Sequence, residues 1–338
     1  MPNAHSRRRV LARPSWISAA ALIPTPHLAA AVAEAGRIEI NSVRLTRFGG
    51  LCLSPQYVAE ELLRAEGFED VVYVDIDKRR TSLTAAVAAG DADFTLDFAP
   101  HVIQAIDAGG RVVVLAGVHS GCFELFAQHS IHRIADLRGK SVGVNLLGLQ
   151  DTFLTAIAAN VGLDPVKDIR WVTAPSPDPL ELFAEGKIEA FLGTAPEPQV
   201  LRARNVGHVL FNSNTDRPWS QYFCCMLSGN MDYVRRYPAA SKRVLRAIIK
   251  ATDLCATDPA GVARRLVDRG FGKNYDEALQ TVSELSYEKW RDYDPEDTLR
   301  FYTLRLREAG LIKVGPQQII AESTNWRFLD ELKRELKA

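Results

Sequence analysis

Cysteine is the most reactive residue type in this 338-residue chain, and it occurs at 52, 122, 224, 225 and 255. The count is odd and Cys224 adjoins Cys225, which does not describe a disulfide framework. The spacing matches no zinc-ligand pattern. Most of the five are therefore expected to be small core residues. Cys52 stands apart, because it follows Gly49-Gly50 and precedes Ser54-Pro55. A thiol at a strand end beside a helix N-terminus has a lowered pKa and can act as a nucleophile. His101 and Arg47 are the residues that would complete such a site.

The stretch that must position Cys52 runs over residues 38–75 and reads as strand, glycine loop, helix, strand. Val43, Leu45 and Phe48 with β-branched Thr46 suit a buried strand. Gly49 and Gly50 permit a sharp turn. Ser54 is expected as the N-cap and Pro55 as the first helical residue. Tyr57, Val58, Leu62 and Leu63 recur at helical spacing, Gly67 ends the helix, and residues 71–74 begin the next strand. A βαβ unit implies a parallel sheet, and its strand-end loop is where open α/β sheets bind ligands. Phe48, Gly50, Cys52 and Ser54 are the candidates there.

The same logic recurs downstream. A strand at 94–96 precedes the loop Asp97-Phe98-Ala99-Pro100, and Thr81 or Ser82 caps the helix before it. Strands follow at 112–116 and 123–127, the first buried on both faces. From residue 134 a new unit opens: strand to 144, loop 145–151, helix to 160, strand 169–172, helix 180–184, strand 188–192, loop 193–197, helix to 204 and strand 209–211. The apolar segment 222–227 leads back toward the first unit. From residue 233 the pattern is helical, at 239–256, 261–269, 278–285, 298–308 and 328–336.

Each loop offers polar candidates. Asp97 has little structural reason to sit between a strand and Pro100, so it is expected to touch ligand. Glu124, Asn145, Gln150, Asp151, Thr194 and Glu197 lie in or beside the other strand-end loops. Asp151 also suits an N-cap, and Glu197 three residues after Thr194 suits a capping box. Trp219 and Tyr222 are placed to stack on a planar group, with a core role equally open to Tyr222. Four carboxylates favour a solute with donors or positive charge, whereas several helix N-termini favour an anion, so ligand charge stays open.

Composition narrows the class. The charge is balanced, with 41 basic and 41 acidic residues, which argues against nucleic acid or an anionic membrane surface as partner. The N-terminus reads as an export signal over residues 1–35. Ser6-Arg7-Arg8-Arg9-Val10-Leu11 resembles a twin-arginine motif, an apolar run from Trp16 to Val32 follows, and Ala31-Val32-Ala33 fits a cleavage site. The run is too short and too interrupted by Pro24 and Pro26 to span a membrane. Cysteine is absent before Cys52, so no lipid anchor is expected.

GDADF at 90–94, DLRGKSVGV at 136–144, GKIEAFLGTAPEP at 186–198 and the helix opening YPAASKRVLRAIIKA resemble one known group. They are similar to substrate-binding proteins of ABC importers in the aliphatic-sulfonate, nitrate and NMT1/THI5-like family. The resemblance implies an α/β fold of two hinged lobes, the periplasmic binding protein fold of type 2. Each lobe would be a mixed, mostly parallel sheet flanked by helices, with a helical C-terminal region. The expected division is 36–128 plus 228–338 for lobe 1 and 129–227 for lobe 2. A small solute would bind in the cleft, and the closed form would be presented to an ABC permease of the inner membrane. The expected protein is periplasmic, monomeric, non-catalytic and without cofactor or metal. The runner-up is an enzyme on the same fold, a THI5-like pyrimidine synthase or a cysteine desulfinase using Cys52. The pair Cys224-Cys225 is only faintly like the cysteine-rich run of the former. A transcription-factor effector domain would need a helix-turn-helix ahead of the α/β part, where the chain has the signal instead.

Overall fold

The computed structural model of the chain describes residues 38–77, 81–144, 150–173 and 178–336. The export-signal residues, the 78–80 link and Asn145 lie outside the described residues, as do the side chains of Gln150 and Asp151.

The opening βαβ unit forms as its punctuation predicts. Strand β1 (Ser42–Arg47) buries Val43, Leu45 and Thr46 completely. After the two glycines, a single 3-10 turn, Leu51–Leu53, runs straight into the helix Ser54–Val58, followed by Glu60–Ala65. Ser54 is therefore not the cap that its sequence position suggests. Its hydroxyl donates backward to Leu51 O at 2.5 Å, tying the turn to the helix. Strand β2 (Asp70–Asp75) pairs parallel with β1 and forms the edge of the sheet. The helix Leu83–Ala89 is capped by Ser82, whose Oγ accepts from Ala85 N at 3.1 Å.

Strands β3 (Phe94–Phe98) and β4 (Val112–His119) are buried at every position, as internal strands of a covered sheet must be. Strand β5 (Phe123–Ala127) begins four residues after β4 ends, yet it belongs to a different sheet. It pairs antiparallel with β8 (Ala190–Thr194) and β9 (His208–Asn212), beside parallel β6 (Lys140–Val144) and β7 (Ile169–Thr173). Strand β10 (Cys225–Asn230) returns to the first sheet and lies antiparallel between β3 and β4. The two sheets therefore run β2-β1-β3-β10-β4 and β7-β6-β8-β5-β9. Each holds, in fourth place, one antiparallel strand that the chain enters directly from the other sheet. Residues 123–127, grouped with the first lobe on sequence, are thus hydrogen-bonded into the second sheet.

Two crossings join the sheets, at 120–122 outward and 213–224 on return, and they lie side by side. Cys122 N and Phe123 N both donate to Ser213 Oγ, at 3.0 and 2.9 Å. Ser213 N donates to Phe123 O at 3.0 Å, and Cys224 N to His119 O at 2.8 Å. Glycine is required twice here. Gly121 has φ +74°, and a Cβ on it would meet Asn214 at 2.6 Å. A Cβ on Gly117 would meet the ring of buried Phe223 at 2.0 Å.

Beyond β10 the chain is helical, with Pro238–Thr257, Pro259–Asp268, Tyr275–Glu284, Pro295–Glu308, Pro316–Ser323 and Arg327–Leu336. Asp258, Asn274 and Asp294 cap three of these with side-chain oxygens. The 3-10 turn Tyr287–Trp290 buries both of its end aromatics against the first sheet, each worth roughly 1.5–3 kcal/mol of transfer free energy. Among the described residues, no helix is long and apolar enough to cross a membrane.

Candidate functional site

The crossings bring together residues that sequence distance keeps apart. Cys52 comes from the turn after β1, His119 from the last residue of β4, Cys122 from the outward crossing and Cys225 from the first residue of β10. One ligand atom from each of the four lies within 4.8 Å of all the others. The pairing is built into the sheet, because Cys225 is the register partner of His119 across the antiparallel ladder. Directly opposed residues project from the same face. Cys224 joins the group through interactions with Cys122 and Cys225.

His119 is fully buried. Its Nδ1 lies 3.3 Å from Ser120 O, so that nitrogen carries the proton and donates. Nε2 makes no hydrogen bond. The Tyr287 ring packs edge-on against the imidazole at 5.2 Å, and its hydroxyl donates to Cys52 O at 3.3 Å. Cys225 and Cys224 are buried, while Cys52 and Cys122 are half-buried.

These surroundings spread the thiol pKa values apart. Hydrogen bonds from Cys122, Cys224 and Cys52, with the charge of His119 behind them, hold Cys225 well below the usual thiol range despite its burial. Burial pushes Cys122 and Cys224 well above it. Burial works against an imidazolium at His119, but Cys225 and the backbone of Ser120 and Gly121 together favour it, and the His119 pKa is raised. Cys255 lies outside this group, and burial alone raises it.

Cys122 also lines a pocket of about 190 Å³. Phe123, Glu124, Ala195, Arg202 and Asn214 form its second-sheet side, and Thr281, Glu284 and Leu285 close it from the helical region. Arg202 binds Glu124 at 2.5 and 2.6 Å and Glu284 at 2.8 Å. Burial raises the Glu124 pKa in spite of Arg202.

Other residues singled out on sequence have internal partners. Asp97 does have a structural role, contrary to expectation. Its carboxylate accepts from Thr84 N at 3.0 Å, Thr84 Oγ1 at 2.8 Å and Phe98 N at 2.8 Å, and lies 3.4 Å from His101 Nδ1. Trp219 is 3% exposed and meets Phe153 and Phe301 edge-on at 5.3 and 5.1 Å, so it is a core residue and not an open lid. Tyr222 stacks on Phe301 at 3.9 Å. Phe98 joins the same aromatic group through Phe123, Phe153 and Tyr302. Phe48 N donates to Tyr57 Oη at 3.0 Å, and Gly50 N to Phe48 O at 2.8 Å. Thr194 N donates to Glu197 Oε2 at 2.9 Å, but the helix begins at Glu197 with Pro196 in the cap position, so the pair is not the capping box that its spacing suggests. The imidazole brought to Cys52 is that of His119, and Arg47 pairs with Asp75 at 3.5 Å.

Sequence reasoning missed His119, Cys122 and Cys225 as a group. The available signal was His119-x-x-Cys122 at a strand end, with a second cysteine pair at the start of the return strand.

The chain is 28% identical to the bicarbonate-binding protein CmpA of Synechococcus sp. over 137 residues, 40% of this chain and 30% of that protein. It thus aligns with less than a third of the length of the curated relatives it matches. Among solved structures it resembles the periplasmic nitrate-binding protein NrtA of Synechocystis, with a TM-score of 0.72 at 15% identity, over 89% of this chain and 90% of that one. It also resembles the periplasmic aliphatic sulphonate binding protein SsuA of Escherichia coli, with a TM-score of 0.64 at 17% identity, over 83% and 92%. The fold, two mixed sheets flanked by helices with a helical C-terminal region, is the periplasmic binding protein fold. The NMT1/THI5-like family model matches residues 57–262, and the chain belongs to that family.

Proposed function

We propose that the protein is an extracytoplasmic solute-binding protein that captures a small solute between its two sheets and delivers it to an ABC permease. The observation that carries this reading is the pair of crossings, bonded side by side through Ser213, which are the covalent links between the β4 edge and the second sheet. Two sheets joined by two connections that lie side by side can rock about them, and a solute touching both sides favours the closed form. The family membership and the small-solute names of the relatives support the same reading.

The pocket beside Cys122 is the first place to look for solute. Two carboxylates against the single guanidinium of Arg202 favour a solute that donates hydrogen bonds. The strand-end residues Ser54, Thr194 and Glu197 and the loop of Asn145, Gln150 and Asp151 remain its proposed neighbours. Residues 1–35 are proposed as the export signal, with the protein acting as a monomer.

A thermal-shift screen tests the proposal, since a bound solute raises the melting temperature by mass action. Sulfonates, nitrate, bicarbonate, pyrimidines, amines and aromatic acids form the panel. At least one is expected to raise the midpoint in a concentration-dependent way, and Arg202→Ala is expected to reduce that rise. A flat panel across all classes opposes the reading. The lowered thiol pKa of Cys225, beside His119, favours a second reading, an enzyme with a cysteine nucleophile. Conversion of any bound solute by the wild type would establish it.

A further inference from the structure

We infer that Cys52, His119, Cys122 and Cys225 form a tetrahedral site for a soft d10 metal ion, with Zn²⁺ as its occupant. This goes beyond solute capture and does not depend on it.

Two independent observations carry the inference. The first is geometric. The four donor atoms are mutually within 4.8 Å. A tetrahedron with Zn–S near 2.3 Å and Zn–N near 2.0–2.1 Å has edges of roughly 3.5–3.8 Å, so closure on the ion asks for movements of about 1 Å. Cys52 and Cys122 sit on turns, where such movement is small, while His119 and Cys225 are fixed opposite each other by the ladder. The second is the fully buried His119, whose Nε2 has no hydrogen-bond partner. Buried polar nitrogens are ordinarily satisfied. Its other nitrogen donates to a backbone carbonyl, the arrangement that fixes the tautomer and orients a metal-binding imidazole. A thiolate-rich donor set with one imidazole selects zinc or Cu(I) over magnesium or calcium. Half-buried Cys122 opens on the 190 Å³ pocket and supplies the entry path.

Binding involves no change of oxidation state. Three S–H bonds break heterolytically, three Zn–S bonds and one Zn–N bond form, and three protons pass to solvent per ion. The count is the same whether the starting form is three thiols with neutral imidazole or a Cys225 thiolate with imidazolium.

The test uses the purified full chain, reduced with a phosphine and stripped with a chelator. Zn²⁺ is titrated against a chromophoric competitor, Co²⁺ is added in parallel as a spectroscopic probe, and Cu(I) is a second arm. The expected result is one equivalent of Zn²⁺ and a Co²⁺ complex with thiolate charge-transfer and tetrahedral ligand-field bands. Cys52→Ser and Cys122→Ser should each weaken Zn²⁺ binding by about 100-fold or more, since even outer-shell losses cost 10–100-fold. Cys255→Ser, a buried cysteine elsewhere, should bind as the wild type does. Circular dichroism of the stripped variants separates lost folding from lost ligation, and Cys122→Ser serves if Cys52→Ser does not fold. Binding of well under one equivalent, octahedral Co²⁺ spectra, a preference for Cu(I) with no Zn²⁺ bound, or unchanged affinity in both serine variants each overturns the assignment. Solute-induced thermal shifts in the stripped protein report on solute capture separately, so either proposal can fail without the other.

Discussion

Asp97 and His119 are both buried polar residues in adjoining parts of the first sheet, and they differ in what surrounds them. The Asp97 carboxylate accepts from three donors supplied by its own sheet and the helix after Ser82. His119 offers Nε2 to nothing, yet three thiols approach it. A buried polar group with all its partners inside the fold holds the fold together, and one with a partner missing points outward to a ligand. From the sequence, Asp97 and Cys52 are both expected at the ligand site and most of the other cysteines in the core; the internal partners of Asp97 are long-range and not legible there.

The largest effect that can break this comparison is at Asp97. Asp97→Ala should orphan Thr84 N, Thr84 Oγ1 and Phe98 N and cost about 3 kcal/mol or more of stability in urea titration. A near-neutral result would return Asp97 to the list of ligand contacts. The contrasting variant is His119→Leu in stripped protein at a pH where the thiols are protonated, which removes one 3.3 Å hydrogen bond and an unsatisfied nitrogen together with the imidazole beside Cys225. It should change stability by less than about 1.5 kcal/mol. A loss as large as that at Asp97 would erase the distinction.

Cys255 sharpens the comparison from the thiol side. Burial alone raises its pKa above 9.0, so the unfolded thiol ionises first as pH rises. Its contribution is complete below the unfolded pKa and is lost as pH climbs from there toward the folded pKa. Stability should therefore fall above about pH 9, with Cys255 contributing about 1.4 kcal/mol per pH unit to the slope. Cys255→Val should make the alkaline slope shallower by that amount. Cys225 has the opposite shift and gives stability that is present above the unfolded pKa and lost on acidification. The smallest effect is expected at Cys52. Cys52→Ser should leave solute affinity within about tenfold, because one thiol-to-hydroxyl change rarely exceeds a kcal/mol or two.

Local punctuation made much of the fold legible. Gly49-Gly50 with Pro55 placed the first strand-loop-helix turn, Ser82 placed a cap, and apolar spacing at 239–256 placed the long helix that the structure shows as Pro238–Thr257. Sheet membership was less legible, because it is long-range. Nothing local in FELFA at 123–127 says that it pairs with residues near 192 and 211 rather than with the strand four residues earlier. Likewise the apolar segment 222–227 that leads back holds only the start of the return strand, Cys225–Asn230, since hydrogen bonding to β4 and not hydropathy sets its start. The thiol cluster was hidden for the same reason. Metal-ligand patterns are recognised by short spacing, and here the four donors come from positions 52 to 225 and meet only because two crossings lie side by side. Trp219 is placed by its sequence to stack on a planar group, and the rings it meets are Phe153 and Phe301, from distant helices.

The central claim is that the protein holds a solute without changing it. The most direct measurement is calorimetric titration of the best solute from the thermal screen, followed by recovery of that solute after prolonged incubation with the protein. One solute bound per chain and recovered chemically intact is the predicted result. Conversion of the recovered solute, or heats indistinguishable from dilution for every solute that shifted the melting midpoint, would contradict it.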